Sequence, residues 1–360
     1  MGNNCSCCKS PHRRNSVSSN IGPNEFTVIG SINNNPTNQS KIDDNYTGRN
    51  QNNLQNGNIN VLKSQPIQPI QSYKKYNLKK SIEYSDNITF LLELNNKKLM
   101  TGSSNGTMTI WNLDNFEFEN SIKEENKILC LLEFEPNMIL CGTQSKLINL
   151  WNIDQNKKVD SLNGHSLSVN CLVKCNEKYF ASASNDKNII IWNYPLRKIE
   201  RILEGHTNNI FCLIILNNKS QICSGSADKT VKIWNWENGN CIGSLPHESW
   251  VKSLCQLKNG CIISGSDDKT IKIWHNYKEI KKFNEHKDSV KCLCNINNKY
   301  LASGSFDNTI KIWDLNDNNE GKSVQTLTEH TDKVICLLNH SKEYLISCSN
   351  DKTIKFWKQD

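Results

Sequence analysis

Seven tryptophans recur along this chain at nearly constant spacing, and that period limits the fold more than any other feature. Trp111, Trp151, Trp192, Trp234, Trp274, Trp313 and Trp357 each close a similar segment, at intervals of 40, 41, 42, 40, 39 and 44 residues. A sustained period near 40 marks a repeat architecture, in which each unit buries its apolar faces against its neighbours. The best copies read CSGSADKTVKIW (223–234), ISGSDDKTIKIW (263–274) and ASGSFDNTIKIW (302–313). Runs such as TVKIW alternate with clusters of Gly, Asn, Asp and Ser, which is the pattern of short strands joined by tight turns. One such sheet cannot cover both of its faces, so the units are expected to pack side by side around an axis. Lysines at alternate strand positions, Lys232 and Lys272, are expected to lay their stems on apolar surface and keep their ammonium groups in water.

Upstream of each good copy lies a turn containing histidine: GHSLSVNCL, GHTNNIFCL, PHESWVKSL, EHKDSVKCL and EHTDKVICL. Together with the tryptophan-closed segments, these turns resemble the WD40 repeat family over residues 77–360. The resemblance implies an all-β fold, a seven-bladed WD40 β-propeller. The chain departs from the family's name-giving dipeptide, because only Trp313 is followed by Asp and most copies have Trp-Asn. Residues 78–84, LKKSIEY, match outer-strand segments such as KIERILEG, while the last residues, IKFWKQD, follow directly on the third strand of the seventh repeat. As in WD40 propellers generally, the early strand is expected to complete the last blade, leaving no half-blade with unpaired backbone groups.

Five repeats carry His, Ser and Asp. The sets are His165, Ser182 and Asp186; His206, Ser224 and Asp228; His247, Ser264 and Asp268; His286, Ser303 and Asp307; and His330, Ser347 and Asp351. Taken alone, each has the composition of a nucleophilic triad. The resemblance implies instead a structural tetrad whose fourth members are Trp192, Trp234, Trp274, Trp313 and Trp357. An enzyme needs one site, not five equivalent ones. In the first repeat Asn105 stands at the Asp place behind Thr101 and Trp111, with no preceding His. In the second, Cys141 and Ser145 stand at the Ser and Asp places, and only spacing and strand pattern mark the blade. These two blades are expected to be the least stable.

The family often binds partners on the narrow face around the central channel. Carried onto this chain, the contact positions place Phe211, Trp250 and Phe306 on adjacent blades, with Lys252, Lys291 and Lys333 around them and Asp267 as the acidic exception. An exposed aromatic cluster is the usual composition of an interface hot spot. One reading is a surface for a peptide with an aromatic or aliphatic anchor and acidic flanks. The other is that Trp250 packs on its own neighbours and the lysines form an ordinary solvated rim. No Gly-rich phosphate loop, metal-ligand cluster or paired-carboxylate site stands out. A non-catalytic, monomeric propeller without cofactor, metal or small-molecule substrate is therefore expected, binding other proteins or peptides.

Charge is divided unevenly. Residues 1–80 hold ten Lys/Arg against three Asp/Glu, while the remaining 280 residues hold 33 of each sign, so the whole net charge of +7 lies in the first part. A neutral body argues against nucleic acid, which usually meets its basic footprint on the folded domain. The sixteen cysteines do not read as a disulfide scaffold, because there is no secretory signal and Cys130, Cys171, Cys212, Cys292 and Cys336 recur at one place in the repeat. They are expected to be reduced, buried thiols acting as small hydrophobes.

The chain opens MGNNCSCCKS, in which Gly2 fits the N-myristoylation pattern and Cys5, Cys7 and Cys8 stand ready for palmitoylation. One acyl chain binds a bilayer marginally, so stable anchoring takes a second chain or a basic patch, here Lys9, Arg13 and Arg14. A chance Gly2 with a cysteine cluster, or a weak metal site, is the competing reading. RRNSVSS (13–19) offers Ser16 as a phosphorylation site that would weaken electrostatic attachment. The expected organisation is a lipid-anchor and basic segment over 1–14, a disordered Asn/Gln/Ser-rich tether over 15–76 and the propeller over 77–360. The expected function is a scaffold on the cytoplasmic side of a membrane, recruiting partner proteins. The alternatives are a soluble cytoplasmic adaptor, such as a substrate receptor of a ubiquitin ligase, and a G-protein β-like subunit. Residues 1–76 show neither the Leu-rich F-box of the first nor the heptad-patterned helix of the second.

Overall fold

Each of the seven repeats folds as a four-stranded antiparallel sheet, and the sheets are the blades of a closed ring. A computed structural model describes residues 73–316, 321–340 and 344–360. Gly2, Cys5, Cys7, Cys8, Ser16, the anchor segment 1–14 and most of the 15–76 tether lie outside the described residues. Blades 1 to 6 span 88–123, 128–162, 169–203, 210–246, 251–283 and 290–327. Blade 4 shows the plan. Its inner strand is Ile210–Ile215, followed by Gln221–Ser226, Thr230–Asn235 and the outer Cys241–Pro246. The second strand is buried almost throughout and the outer one is mostly exposed. The chain therefore grades from packed interior to solvent along each sheet. No helix among the described residues is long and apolar enough to cross a membrane.

The core lies in the seams between blades. In one seam Cys223, Val231, Ile233 and Leu245 of blade 4 meet Val251, Leu254, Ile262 and Trp274 of blade 5. Small residues are required where the sheets approach most closely. A Cβ on Gly225 would stand 2.6 Å from Cys212 Sγ and 2.7 Å from Val251 Cγ1 of the next blade. The repeated cysteine sits at this contact and ties blade to blade. The Cys130 thiol lies 3.7 Å from the Val169 carbonyl, and Cys171 Sγ lies 3.8 Å from the Leu213 carbonyl and accepts from the Leu213 amide at 3.3 Å. Burial pushes the Cys130, Cys171 and Cys292 thiols up, which keeps them protonated and unreactive. In blade 5 the same place is Ser253, whose buried hydroxyl has no partner among the described residues. A thiol tolerates weak hydrogen bonding there better than a hydroxyl does. Lys272 departs from its expected role. It is buried, and its ammonium bonds the Pro246 carbonyl at 3.2 Å and Glu279 at 3.0 Å instead of remaining in water.

Blade 7 is assembled from two distant parts of the chain. Val334–His340, Tyr344–Ser349 and Thr353–Gln359 supply three strands, and Tyr76–Glu83 supplies the outer one. The added strand runs antiparallel to the last, from Tyr76 opposite Gln359 to Glu83 opposite Thr353, with one register shift between Leu78 and Lys80. Blade 6 holds the same segment from the side. Gln325 accepts from the Tyr73 hydroxyl at 2.7 Å and the Tyr76 amide at 2.8 Å, and its own amide donates to the Tyr76 carbonyl at 2.7 Å. The ring thus takes in Tyr73 and Tyr76, ahead of residue 77.

Removing Tyr76–Glu83 strips a full ladder from blade 7 and uncovers an edge. The apparent melting temperature is expected to drop by roughly 10 °C or more, measured by circular dichroism. Deletion of residues 1–70 is expected to leave it unchanged.

Candidate protein-binding face and the tetrads beneath it

Five buried hydrogen-bond chains fix the turns on which the face is built. In blade 4 the Trp234 indole donates to Ser224 Oγ at 2.8 Å, Ser224 Oγ lies 2.7 Å from His206 Nε2, and His206 Nδ1 lies 2.6 Å from Asp228. The same chain runs through Trp192, Ser182, His165 and Asp186; Trp274, Ser264, His247 and Asp268; Trp313, Ser303, His286 and Asp307; and Trp357, Ser347, His330 and Asp351. One direction of donation satisfies every group: Trp N–H to Ser, Ser O–H to neutral His, His Nδ1–H to carboxylate. Each serine is fully buried, and its oxygen already accepts from an indole. It cannot meet an acyl substrate, so these sets have the members of a triad without its access.

The carboxylate also holds the turn that follows it. Asp228 Oδ1 accepts from the Thr230 amide at 3.0 Å and its hydroxyl at 2.6 Å, while Oδ2 takes the Thr207 amide at 3.1 Å. Between them Lys229 sits at φ 68°, in the left-handed region that costs a non-glycine residue about 1 kcal/mol. Lys187, Lys269, Asn308 and Lys352 repeat that conformation at the same place. Burial alone would raise the Asp228, Asp268 and Asp307 carboxyls. The hydrogen bonds from their His and Thr neighbours outweigh it and hold them below the ordinary carboxylate range. Because the folded values lie below the unfolded ones, their stabilisation is complete above about pH 4 and lost as pH falls further. Burial holds His330 below its ordinary value against the pull of Asp351, which favours the neutral ring.

Blades 1 and 2 solve the same problem with other residues, which the repeat pattern did not reveal. The tetrad His stands four positions before the first buried residue of the inner strand, as His206 does before Ile210. Counting back four from Ile88 and Ile128 gives Tyr84 and Glu124. Tyr84 shares a hydrogen bond between its hydroxyl and that of Thr109, while the Trp111 indole donates to Thr101 at 3.2 Å. Glu124 is 1 % exposed, and one of its oxygens accepts from the Trp151 indole and from the Asn149 amide, both at 2.9 Å. Blade 2 therefore has a buried network of its own, centred on a carboxylate, where spacing and strand pattern alone were expected to define it.

On the face above, the structure brings Phe211, Trp250, Lys252 and Asp267 into one contact set. The rings of Phe211 and Trp250 lie 5.8 Å apart at 38°, and the Lys252 ammonium stands 3.8 Å from the first ring centre and 4.5 Å from the second. Asp267 lies 3.5 Å from that ammonium and also accepts from Ser289, a residue absent from the sequence-derived set. Burial draws Lys252 below its ordinary value, with Asp267 opposing. Lys252 is thus occupied within the protein, unlike the free rim cation expected. Trp250 packs on these neighbours yet remains 44 % exposed. Phe306 stands apart, under the Lys333 ammonium at 4.9 Å, with its amide bonded to the Ser289 carbonyl at 2.9 Å. Lys291 lines the channel beside Phe211. No group of three or more His, Cys, Asp or Glu side chains among the described residues is arranged to hold a metal ion.

A family model described as "WD domain, G-beta repeat" matches residues 156–193, 197–235, 239–275, 277–314 and 321–358, just over half of the chain. No curated protein matches it. The matched segments carry the strand tryptophans of the five His-Ser-Asp-Trp tetrads and leave out blade 1 and all but the outer strand of blade 2, the two blades with substitute networks.

Substituting Glu124 by Ala would leave the Trp151 and Asn149 donors buried without an acceptor. Chemical denaturation is expected to show a loss of about 2–3 kcal/mol, with a smaller loss for Glu124→Gln, which keeps one acceptor.

Proposed function

The chain belongs to the WD40 family, and from that premise we propose that it is a non-catalytic, monomeric scaffold that recruits partner proteins through the channel face. The observation that carries this reading is the Phe211–Trp250 pair, exposed at Trp250 and backed by Lys252 and Asp267. An aromatic platform locked from below loses little side-chain entropy on binding, which suits it to anchor an aromatic or aliphatic side chain. With Lys252 engaged by Asp267, acidic flanks of the partner would be met by Lys291 and Lys333. Substituting Phe211 and Trp250 together by Ala is expected to weaken partner capture by roughly 30-fold or more in pull-downs, with the melting temperature kept. Undiminished capture by the folded double variant would sink the reading.

The scaffold is placed at the cytoplasmic side of a membrane through acylation of Gly2 and of Cys5, Cys7 and Cys8, which lie outside the described residues. Support comes from the order of signals: an acceptor glycine, three cysteines and then Lys9, Arg13 and Arg14. A fluorescent fusion is expected at a membrane, and Gly2→Ala or joint Cys5, Cys7 and Cys8→Ser should release it to the cytosol. A cytosolic wild type would leave a soluble adaptor.

A further inference from the structure

The mouth of the central channel is a cavity of about 330 Å³ whose lining includes Lys127 and Lys291 and no Asp or Glu. Neither ammonium has an ion-pair or hydrogen-bond partner among the described residues, in contrast to Lys252 beside its Asp267. Lys291 is half-buried and central enough for its charge to reach the thiols of four blades, Cys171, Cys212, Cys292 and Cys336. Two further donors border the cavity, because the side-chain amides of Asn87 and Asn350 are also unpartnered among the described residues. Asn170 has already given its amide to Asn185 and the Ile210 carbonyl, and the Thr89 hydroxyl is taken by the Gly102 carbonyl.

This concentration of charge is local. Residues 81–360 balance 33 basic against 33 acidic side chains. A positive potential confined by low-dielectric walls focuses its field on whatever enters. Two uncompensated ammonium groups match a dianion, whereas one carboxylate would leave the second unmatched. A half-buried Lys291 and an exposed Lys127 at the rim, flanked by amide donors, form the arrangement that charge-assisted hydrogen bonding to phosphate oxygens calls for.

We propose that the channel mouth binds a phosphate group between Lys127 and Lys291, with Asn87 and Asn350 as additional donors. The site adjoins the aromatic platform, since Phe211 lines the cavity beside Lys291 while Trp250 does not. The phosphate is either that of a free small molecule or one carried on a partner's serine, and the two sources separate experimentally.

Isothermal titration of the full-length chain at low salt would use two probes: inorganic pyrophosphate, and a phosphoserine peptide paired with its unphosphorylated form. The joint Lys127→Gln, Lys291→Gln variant keeps the basic N-terminal segment, so phosphate held there is unaffected. Wild type is expected to bind at least one probe, and the double variant to bind it about tenfold or more weakly. The unliganded melting temperature should not change, because neither lysine is engaged in the fold. Lys127→Arg with Lys291→Arg should retain binding, which excludes a loss caused by altered packing. Pyrophosphate binding identifies a free ligand, and binding of the phosphopeptide alone identifies a partner-borne phosphate. Equal affinity of wild type and the double Gln variant for both probes overturns the proposal. Trp250→Ala should keep phosphate affinity while losing partner capture, so failure here and failure of the aromatic platform are told apart.

Discussion

The ring depends on a hydrogen bond repeated in every blade, from a strand tryptophan's indole to a buried acceptor. In five blades the acceptor is a serine, in blade 1 it is Thr101 and in blade 2 it is Glu124. An indole left unpaired in a seam would cost about 1–3 kcal/mol, and seven such losses would exceed the margin on which a domain of this size folds. From the serine the network runs through His to the Asp of a turn. The most buried part of each blade is thereby coupled to the loops that carry its exposed residues. A face fixed in this way has a shape before any partner arrives.

Because each blade buries its sheet only against its neighbours, no blade is independent. Gly225 shows how closely the seams are fitted, since a single methyl group there would collide with both Cys212 and Val251. The recurring cysteines belong to the same economy of space. They fill a narrow contact, Cys130 and Cys171 bond weakly across it, and burial keeps the Cys130, Cys171 and Cys292 thiols from reacting. Blade 1 has Phe90 at this place, and Ser253 in blade 5 keeps the size of cysteine and loses the fit of its polar atom.

Much of this was legible in the sequence because the repeat states each rule several times. The tryptophan period, the Asp-Lys-Thr turns and the five His-Ser-Asp sets gave blade number, strand order and tetrad membership. What escaped were places where a different chemistry meets the same geometric demand. Glu124 and Tyr84 occupy the His position but share no property with histidine that a pattern would recognise, and only counting residues from the inner strand finds them. The face was legible in part. Phe211 and Trp250 do meet, but Phe306 is turned toward Lys333. The capture of Lys252 by Asp267, both in blade 5, depends on how two side chains fold over one turn, which no spacing records. Lys127 was missed because its neighbours in the channel are supplied by blades far away in sequence.

Blade 7 has a consequence for how the protein comes into being. Asn77 and Asp360 lie hydrogen-bonded across the closing ladder, 283 residues apart in the chain. On a ribosome the outer strand emerges first and its partner strand last. At the usual pace of synthesis the early strand waits on the order of 15 to 60 s with an open edge. Six blades can form in order behind it, but the ring closes only once Thr353–Gln359 has been made. Lys79 and Lys80, both exposed on that strand, place charge along the waiting edge, the device by which unpaired strands resist pairing with the wrong neighbour. Assembly of the ring is therefore timed by translation itself, with its closing contact set by the arrival of the strand Thr353–Gln359.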